Sequence, residues 1–271
     1  MPFISWRIHI NESTDTELLL AELINLSFSG FEESDSEILA YIDSKDHSYV
    51  LIADFRQEHP DLTIEVTELN DENWNEVWES NFEPVFIDDR VVLRAPFHPP
   101  MNKEFEIVME PKMAFGTGHH ETTAGMIRQM LNMDFAGKRV LDMGAGTGVL
   151  AIMASKLGAK EVIAIDFDEN ATKSCVENID RNKANNISVL LGDDNVIPEQ
   201  TFDMVLANIN RNVLVDLIPK MKTHIEEGYL LLSGILEEDG ALIEKEAVNN
   251  GFEMVIAETG GKWLIQKYRR V

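Results

Sequence analysis

The chain is 271 residues long, enough for one large domain with an appendage or for two domains. Its 44% apolar content supports a buried core, and no apolar run approaches the ~18 residues that a membrane span requires. Lysine and arginine number 23 against 48 acidic residues, a net charge of −25, which argues against a surface built to neutralise a nucleic-acid backbone.

Half of the imbalance falls early. Within residues 1–70 three basic residues, Arg7, Lys45 and Arg56, stand against fifteen acidic ones, a net of −12. Such a field repels phosphate and attracts a basic protein, although solubility alone also accounts for an acidic surface. The single Cys175 excludes an intrachain disulfide. Met1–Trp6 lacks the basic and long apolar regions of a secretory signal, so a cytoplasmic setting is expected.

In chain order, Phe3–Ile10 alternates as a strand and Asp15–Leu26 reads as a helix that ends near Gly30. Glu37–Ile42 is a strand, Tyr49–Glu58 a helix stopped before Pro60, and Thr63–Leu69 a further strand. This is a small α+β unit of the ferredoxin-like kind, with one strand unplaced. Trp74, Val77, Trp78 and Phe82 recur at helical spacing in Asp71–Asn81, which reads as a helical connector packed by its aromatics. Val85–Ala95 is strand-like around a turn at Asp88-Asp89.

From Lys138 onward apolar strands alternate with amphipathic helices. The strands are Arg139–Asp142, Glu161–Asp166, Ile187–Leu191, Met204–Ala207 and Tyr229–Gly234. The first is followed by a helix through Leu157, and the second by one over Glu169–Lys183. Alternation of this kind implies right-handed crossovers and a parallel sheet covered on both faces. Phe252–Glu258, Gly260-Gly261 and Lys262–Tyr268 read as a closing hairpin, making seven strands with an antiparallel finish. The division expected is 1–69 for the small domain, 70–88 for the connector and 89–271 for the large α/β domain.

The chemistry concentrates at strand ends. Asp142-Met143-Gly144-Ala145-Gly146-Thr147-Gly148-Val149 joins a strand to a helix, where glycines turn sharply and helix N–H groups are free to meet a ligand. The dinucleotide fingerprint G-x-G-x-x-G would need glycine where Val149 stands. The G-x-G-x-G spacing at Gly144 and Gly146 suits a ligand with a carboxylate and an ammonium but no pyrophosphate, as in S-adenosylmethionine; another nucleotide cofactor is its nearest competitor. Asp166, 22 residues beyond Gly144, is placed to accept ribose hydroxyls. Asp168 reads as a helix cap. Asp193, in Gly192-Asp193-Asp194, is placed to accept from an adenine amino group, or else is an acidic turn. Asn208 closes the fourth strand and is a candidate to orient an incoming amine, with a helix cap as the competing role. Upstream, Met113–Thr123 reads as a loop closing over the cofactor, with Phe115, Gly116 and Thr117 in its glycine-rich part. His119, His120 and Glu121 are adjacent in sequence, share no helix face, and are not expected to bind metal.

AFGTGHHETT, VLDMGAGTGVLAIMASKLGA, AIDFDENA, ANIN, LSGIL and WNEVWESNFEPVFI together resemble the PrmA family of ribosomal-protein methyltransferases, from about Asn73 to the end. The likeness is weaker over the N-terminal domain. The resemblance implies a class I, Rossmann-like methyltransferase domain behind a ferredoxin-like domain that recognises the substrate. It implies transfer of methyl groups from S-adenosylmethionine, leaving S-adenosylhomocysteine, to lysine and N-terminal amines of the large-subunit ribosomal protein L-eleven, free or on the subunit. Cofactor contacts carry over to Thr123, Gly144, Asp166 and Asn208. The chain departs from the family at Asn210-Arg211-Asn212, where many relatives have leucine and a small residue, which bears on the acceptor pocket. A monomer without direct nucleic-acid contact is expected. The alternatives are a methyltransferase of another protein, an RNA or a small molecule, a non-catalytic binding module, and a nicotinamide oxidoreductase disfavoured by Val149.

Overall fold

The computed structural model describes residues 3–11, 14, 16–28, 30–34, 36–69, 83–110 and 121–271. The chain forms two compact units, Met1–Phe82 and Glu83–Val271. Asp71–Asn81, expected as a helical connector, lies outside the described residues.

The first unit runs β1 (Phe3–His9), α1 (Thr16–Asn25), β2 (Gly30–Glu33), β3 (Glu37–Asp43), α2 (Tyr49–Glu58) and β4 (Thr63–Leu69). Its antiparallel sheet has the order β2-β3-β1-β4. The short β2, turned back onto β3, is the strand that sequence left unplaced. Strand alternation sends Trp6, Ile8, Ile38, Ala40, Ile42 and Ile64 to one face, where they bury against Leu19, Leu23, Ile52 and Phe55 of the helices. Trp6 is fully buried, edge-on to Phe28 at 4.8 Å and Phe55 at 5.3 Å. A core aromatic of this size holds about 3–5 kcal/mol against truncation. Ser48 starts α2 by accepting from the Leu51 N–H at 3.1 Å, a cap that fixes the first residue of the helix. On the opposite strand face Arg7 pairs with Glu37 at 2.9 Å, an exposed contact worth little to stability.

The second unit opens with β5 (Val85–Ile87), β6 (Val91–Arg94) and β7 (Phe105–Val108), a small sheet in which β6 is antiparallel to β5 and parallel to β7. The unit therefore begins before residue 88, because β5 belongs with β6 and not with a connector; β7 had no counterpart in the sequence reading. Then follow α3 (Glu121–Met130), β8 (Arg139–Met143), α4 (Val149–Lys156), β9 (Glu161–Asp166), α5 (Glu169–Asn182), β10 (Ile187–Leu191), β11 (Met204–Asn208), α6 (Arg211–His224), β12 (Tyr229–Leu236), α7 (Gly240–Asn249), β13 (Phe252–Gly260) and β14 (Trp263–Arg270).

The large sheet has the order β10-β9-β8-β11-β12-β14-β13. Strands β8 to β12 are parallel, and β14 lies antiparallel between β12 and β13. One face packs on α3 and α4 through Met126, Ile127, Leu150 and Met153. The other packs on α6 and α7 through Leu214, Leu217, Ile218 and Ile243. Strands covered on both faces become the continuous apolar runs read in the sequence. The strand order reverses between β8 and β11, so their carboxyl ends frame a crevice of the kind in which open α/β sheets bind ligands.

Candidate functional site

The turn after β8 needs glycine for two separate reasons. Gly144, Gly146 and Gly148 have φ of 69°, 55° and 83°, a region that side chains disfavour. A Cβ at Gly144 would also stand 2.2 Å from Ile209 Cγ2, and one at Gly148 2.5 Å from Cys175 Sγ. The turn is hooked to the neighbouring strand, since the Gly144 and Ala145 N–H groups donate to the Ile165 carbonyl at 2.8 and 3.0 Å. Burial pushes the Cys175 thiol up to about 12, so beneath Gly148 it acts as neutral packing.

Asp166 closes β9 at the edge of this turn. Its Oδ2 accepts the Gly146 N–H at 2.8 Å and its Oδ1 the Asp168 N–H at 3.0 Å. Each carboxylate oxygen has room for a further donor, so the group can brace the turn and bind vicinal hydroxyls together. Asp168 is the cap of α5, accepting from the Asn170 and Ala171 N–H groups. Asp193 is exposed and caps a short turn, accepting from the Asn195 N–H at 2.9 Å and the Asn195 side chain at 2.8 Å. Those bonds hold its carboxyl below the usual carboxylate range. The acidic-turn role is the one its geometry displays.

Asn208 stands at the end of β11, and its Nδ2 donates to Thr123 Oγ1 at 3.2 Å. Thr123 is buried near the start of α3. The cap of α6 is Asn210, whose Oδ1 accepts the Val213 N–H at 3.2 Å, so Asn208 is free of that duty. With one Nδ2 hydrogen given to Thr123, Oδ1 and the second Nδ2 hydrogen of the Asn208 amide are left for a ligand. Gly144, Gly146, Asp166, Thr123 and Asn208 are thus linked around one crevice: Ile209, next to Asn208, touches Gly144, and Asp166 holds Gly146. Phe115, Gly116 and Thr117, with His119 and His120, lie outside the described residues. Among the described residues no group of three His, Cys, Asp or Glu side chains is arranged to hold a metal ion.

Two features of the site went unread in the sequence. Asp142, noted there only as preceding the glycines, is 1% exposed. Its Oδ2 accepts the Ala151 N–H at 2.9 Å, and its Oδ1 has no partner. Burial pushes its carboxyl up to about 7, the Ala151 bond opposing and the Asp166 charge adding. The signal was an acid inside an apolar strand, two residues before the first glycine of the turn. The second feature is apolar: Phe167, Leu191 and Val196 are 83%, 54% and 38% exposed beside Asp166 and Asp193, a rim on which a flat heteroaromatic ring can pack.

A cavity of about 700 Å³ is lined by Lys138, Asp203, Gly228 and Lys267, among others. The first three directly precede β8, β11 and β12, so it lies at the wrong end of the sheet to join the crevice.

The donor set fits S-adenosylmethionine. The cradle admits backbone but no Cβ, one carboxylate suits a diol, and a buried carboxyl beside the turn would be favoured as the ion by a nearby cation. A test follows from Asp142. The folded chain holds a proton that the unfolded chain releases between 3.8 and about 7, so this group's contribution to stability grows as pH falls through that window and its cost is complete above it. A bound cation reverses the preference, so cofactor affinity should fall about tenfold from pH 8 to pH 6. Asp142→Asn should flatten the slope in calorimetric titration; equal slopes in the two proteins would remove Asp142 from the linkage.

Comparison with known proteins agrees. The family model described as ribosomal protein L11 methyltransferase (PrmA) matches residues 9–270. A protein named ribosomal protein L11 methyltransferase from Phocaeicola vulgatus is 38% identical over 275 residues, spanning 98% of this chain and 97% of its own. One of the same name from Bacteroides thetaiotaomicron is 36% identical over 278 residues, with 99% of each chain covered. The crystal structure of a ribosomal protein L11 methylase from Lactobacillus delbrueckii subsp. bulgaricus matches with a TM-score of 0.65 at 27% identity, over 70% of this chain and 100% of that one.

Proposed function

The chain belongs to the ribosomal protein L11 methyltransferase (PrmA) family, and from that premise we propose that it methylates amino groups of ribosomal protein L11, on lysine side chains and at the N-terminus. The observation that carries the chemistry is the convergence at one strand crossover of the glycine turn, Asp166 and the Asn208–Thr123 pair.

When bound, S-adenosylmethionine supplies a methyl group on a sulfonium, an electrophile that needs alignment more than activation. Asp166 accepts the ribose hydroxyls while keeping Gly146 in place. Asn208 presents Oδ1 to an N–H of the incoming amine, the direction of its amide being set by Thr123. The amine must be neutral to attack. At pH 7 that costs about 4–5 kcal/mol for a lysine with pKa near 10.4 and about 1 kcal/mol for an α-amino group near 8. Desolvation beside a positive sulfonium lowers the cost by depressing the amine pKa. No side chain of the crevice is assigned as a dedicated base.

We assign substrate docking to residues 1–69 and methyl transfer to the unit Glu83–Val271. Its support is the net charge of −12 over residues 1–70, complementary to a basic ribosomal protein. The reading takes the enzyme as a cytoplasmic monomer without direct nucleic-acid contact. The total charge of −25 supports the last point, and among the described residues no helix is long and apolar enough to cross a membrane.

The experiment is incubation with labelled S-adenosylmethionine and purified ribosomal protein L11, followed by intact and peptide mass spectrometry. Mass gains in steps of one methyl on lysine or the N-terminal amine are expected. Cofactor binding without transfer would return the substrate to open question.

A further inference from the structure

Helix α5 carries a stripe of side chains, Cys175, Asn178 and Asn182, at the three- and four-residue spacing of one helix face. Cys175 packs beneath Gly148. Asn182 grips Val108 by both backbone groups, accepting from its N–H at 2.9 Å and donating to its carbonyl at 2.7 Å. Arg181, beside the stripe, reaches the Glu110 carboxylate at 2.6 Å. Asn178 is 0% exposed and does both jobs. Its Oδ1 accepts the Glu110 N–H at 3.0 Å, and its Nδ2 donates to the Thr147 carbonyl at 3.0 Å.

Thr147 sits between Gly146 and Gly148, and a planar peptide ties its carbonyl to the Gly148 N–H on the opposite side. That N–H donates to the Ala145 carbonyl at 2.8 Å. The 147–148 peptide is therefore clamped at both ends, from within the turn by Ala145 and from outside by Asn178. Gly148 on its far side, at φ 83°, would otherwise let this peptide rotate at reduced steric cost.

We infer that Asn178 is a positioning residue for the cofactor: it holds the 147–148 peptide, preforms the glycine turn and ties it to the end of β7. The inference rests on the reading of that turn as the cofactor site. A turn already shaped before binding raises affinity without touching the transfer step. The effect belongs in the dissociation constant and not in turnover at saturating cofactor.

Asn178→Asp tests this. The introduced carboxylate still accepts from Glu110 but meets the Thr147 carbonyl as a second acceptor. At pH 8 the Kd for S-adenosylmethionine should rise about 10- to 30-fold, with kcat at saturation within about twofold of wild type. Lowering the pH protonates a carboxyl buried at this position and restores a donor, so the variant-to-wild-type ratio of Kd should shrink to about threefold at pH 6. Asn182→Ala, which loosens β7 without touching Thr147, should bind cofactor almost normally. If Asn178→Asp does not fold, Asn178→Ser carries the test, with weaker binding and retained kcat expected. A ratio that stays flat with pH, or equal losses in Asn182→Ala, would overturn the inference. Asp166→Ala run alongside separates the two levels: if it binds weakly while Asn178→Asp binds as wild type, only the inference falls. Wild-type affinity in Asp166→Ala would remove the site reading and the inference with it.

Discussion

Asp166→Ala should weaken S-adenosylmethionine binding by at least about 100-fold while the domain still folds. The substitution removes one carboxylate with two duties. Hydrogen bonds from ligand hydroxyls to a charged acceptor contribute about 1.5–3 kcal/mol each, and about 2.7 kcal/mol already amounts to 100-fold in Kd. The Gly146 and Asp168 N–H groups also lose the acceptors they meet at 2.8 and 3.0 Å. Leaving them unpaired costs about 1–3 kcal/mol each when buried and lets the turn relax away from its binding shape. Asp166→Asn, which keeps one acceptor, should fall between the two. The measurement is isothermal titration, with thermal unfolding alongside to confirm the fold. An alanine variant whose Kd stays within about threefold of wild type would exclude Asp166 from the cofactor contacts.

Asn208→Ala should show the opposite division. We expect kcat to fall about 100-fold, the scale seen when one preorganised polar group is lost from a reacting centre, while the cofactor Kd changes by less than about fivefold. The geometric reason is that β11 delivers Asn208 to the crevice while Thr123, 85 residues earlier in the chain, fixes its amide. Thr123→Val, which keeps the shape but removes the acceptor, should lose about tenfold in kcat because the amide is then free to turn. Single-turnover methylation with saturating cofactor reads both variants. Full turnover with unchanged cofactor affinity in Asn208→Ala would falsify its assignment as the residue that orients the amine.

The parts of the molecule legible in the sequence are those where local chemistry and tertiary position agree. Val140-Leu141 running into three glycines demands a strand and a tight turn whatever surrounds them. Tyr49–Glu58 was bounded at its end by Pro60, and the structure adds Ser48 as the cap at its start. The hairpin at Gly260-Gly261 followed from turn chemistry, and the alternation of strands and helices gave the parallel sheet. Strands β2 and β7 went unread or unplaced because four residues are too few to display a period. Asp193 follows a strand and also caps a local turn through Oδ1, so its place in the sequence does not separate a ligand contact from a turn role. Asn178 was invisible for a different reason. A polar residue within an amphipathic helix reads as solvent-facing, and only the fold shows that its two partners lie 68 and 31 residues away.

The placing of β14 has a consequence for how the chain acquires its shape during synthesis. β13 leaves the ribosome before β14, yet in the finished sheet it pairs with β14 and not with β12. Until the last strand emerges, β12 is an uncovered edge beside a finished parallel core, and β13 is a strand with nothing to pair with. Such pairing predicts an assembly order of core first and then two strands as one clasp. A deletion confined to Trp263–Arg270 strips the sheet of β13 as well, and returns β12 to the state of an open, aggregation-prone border.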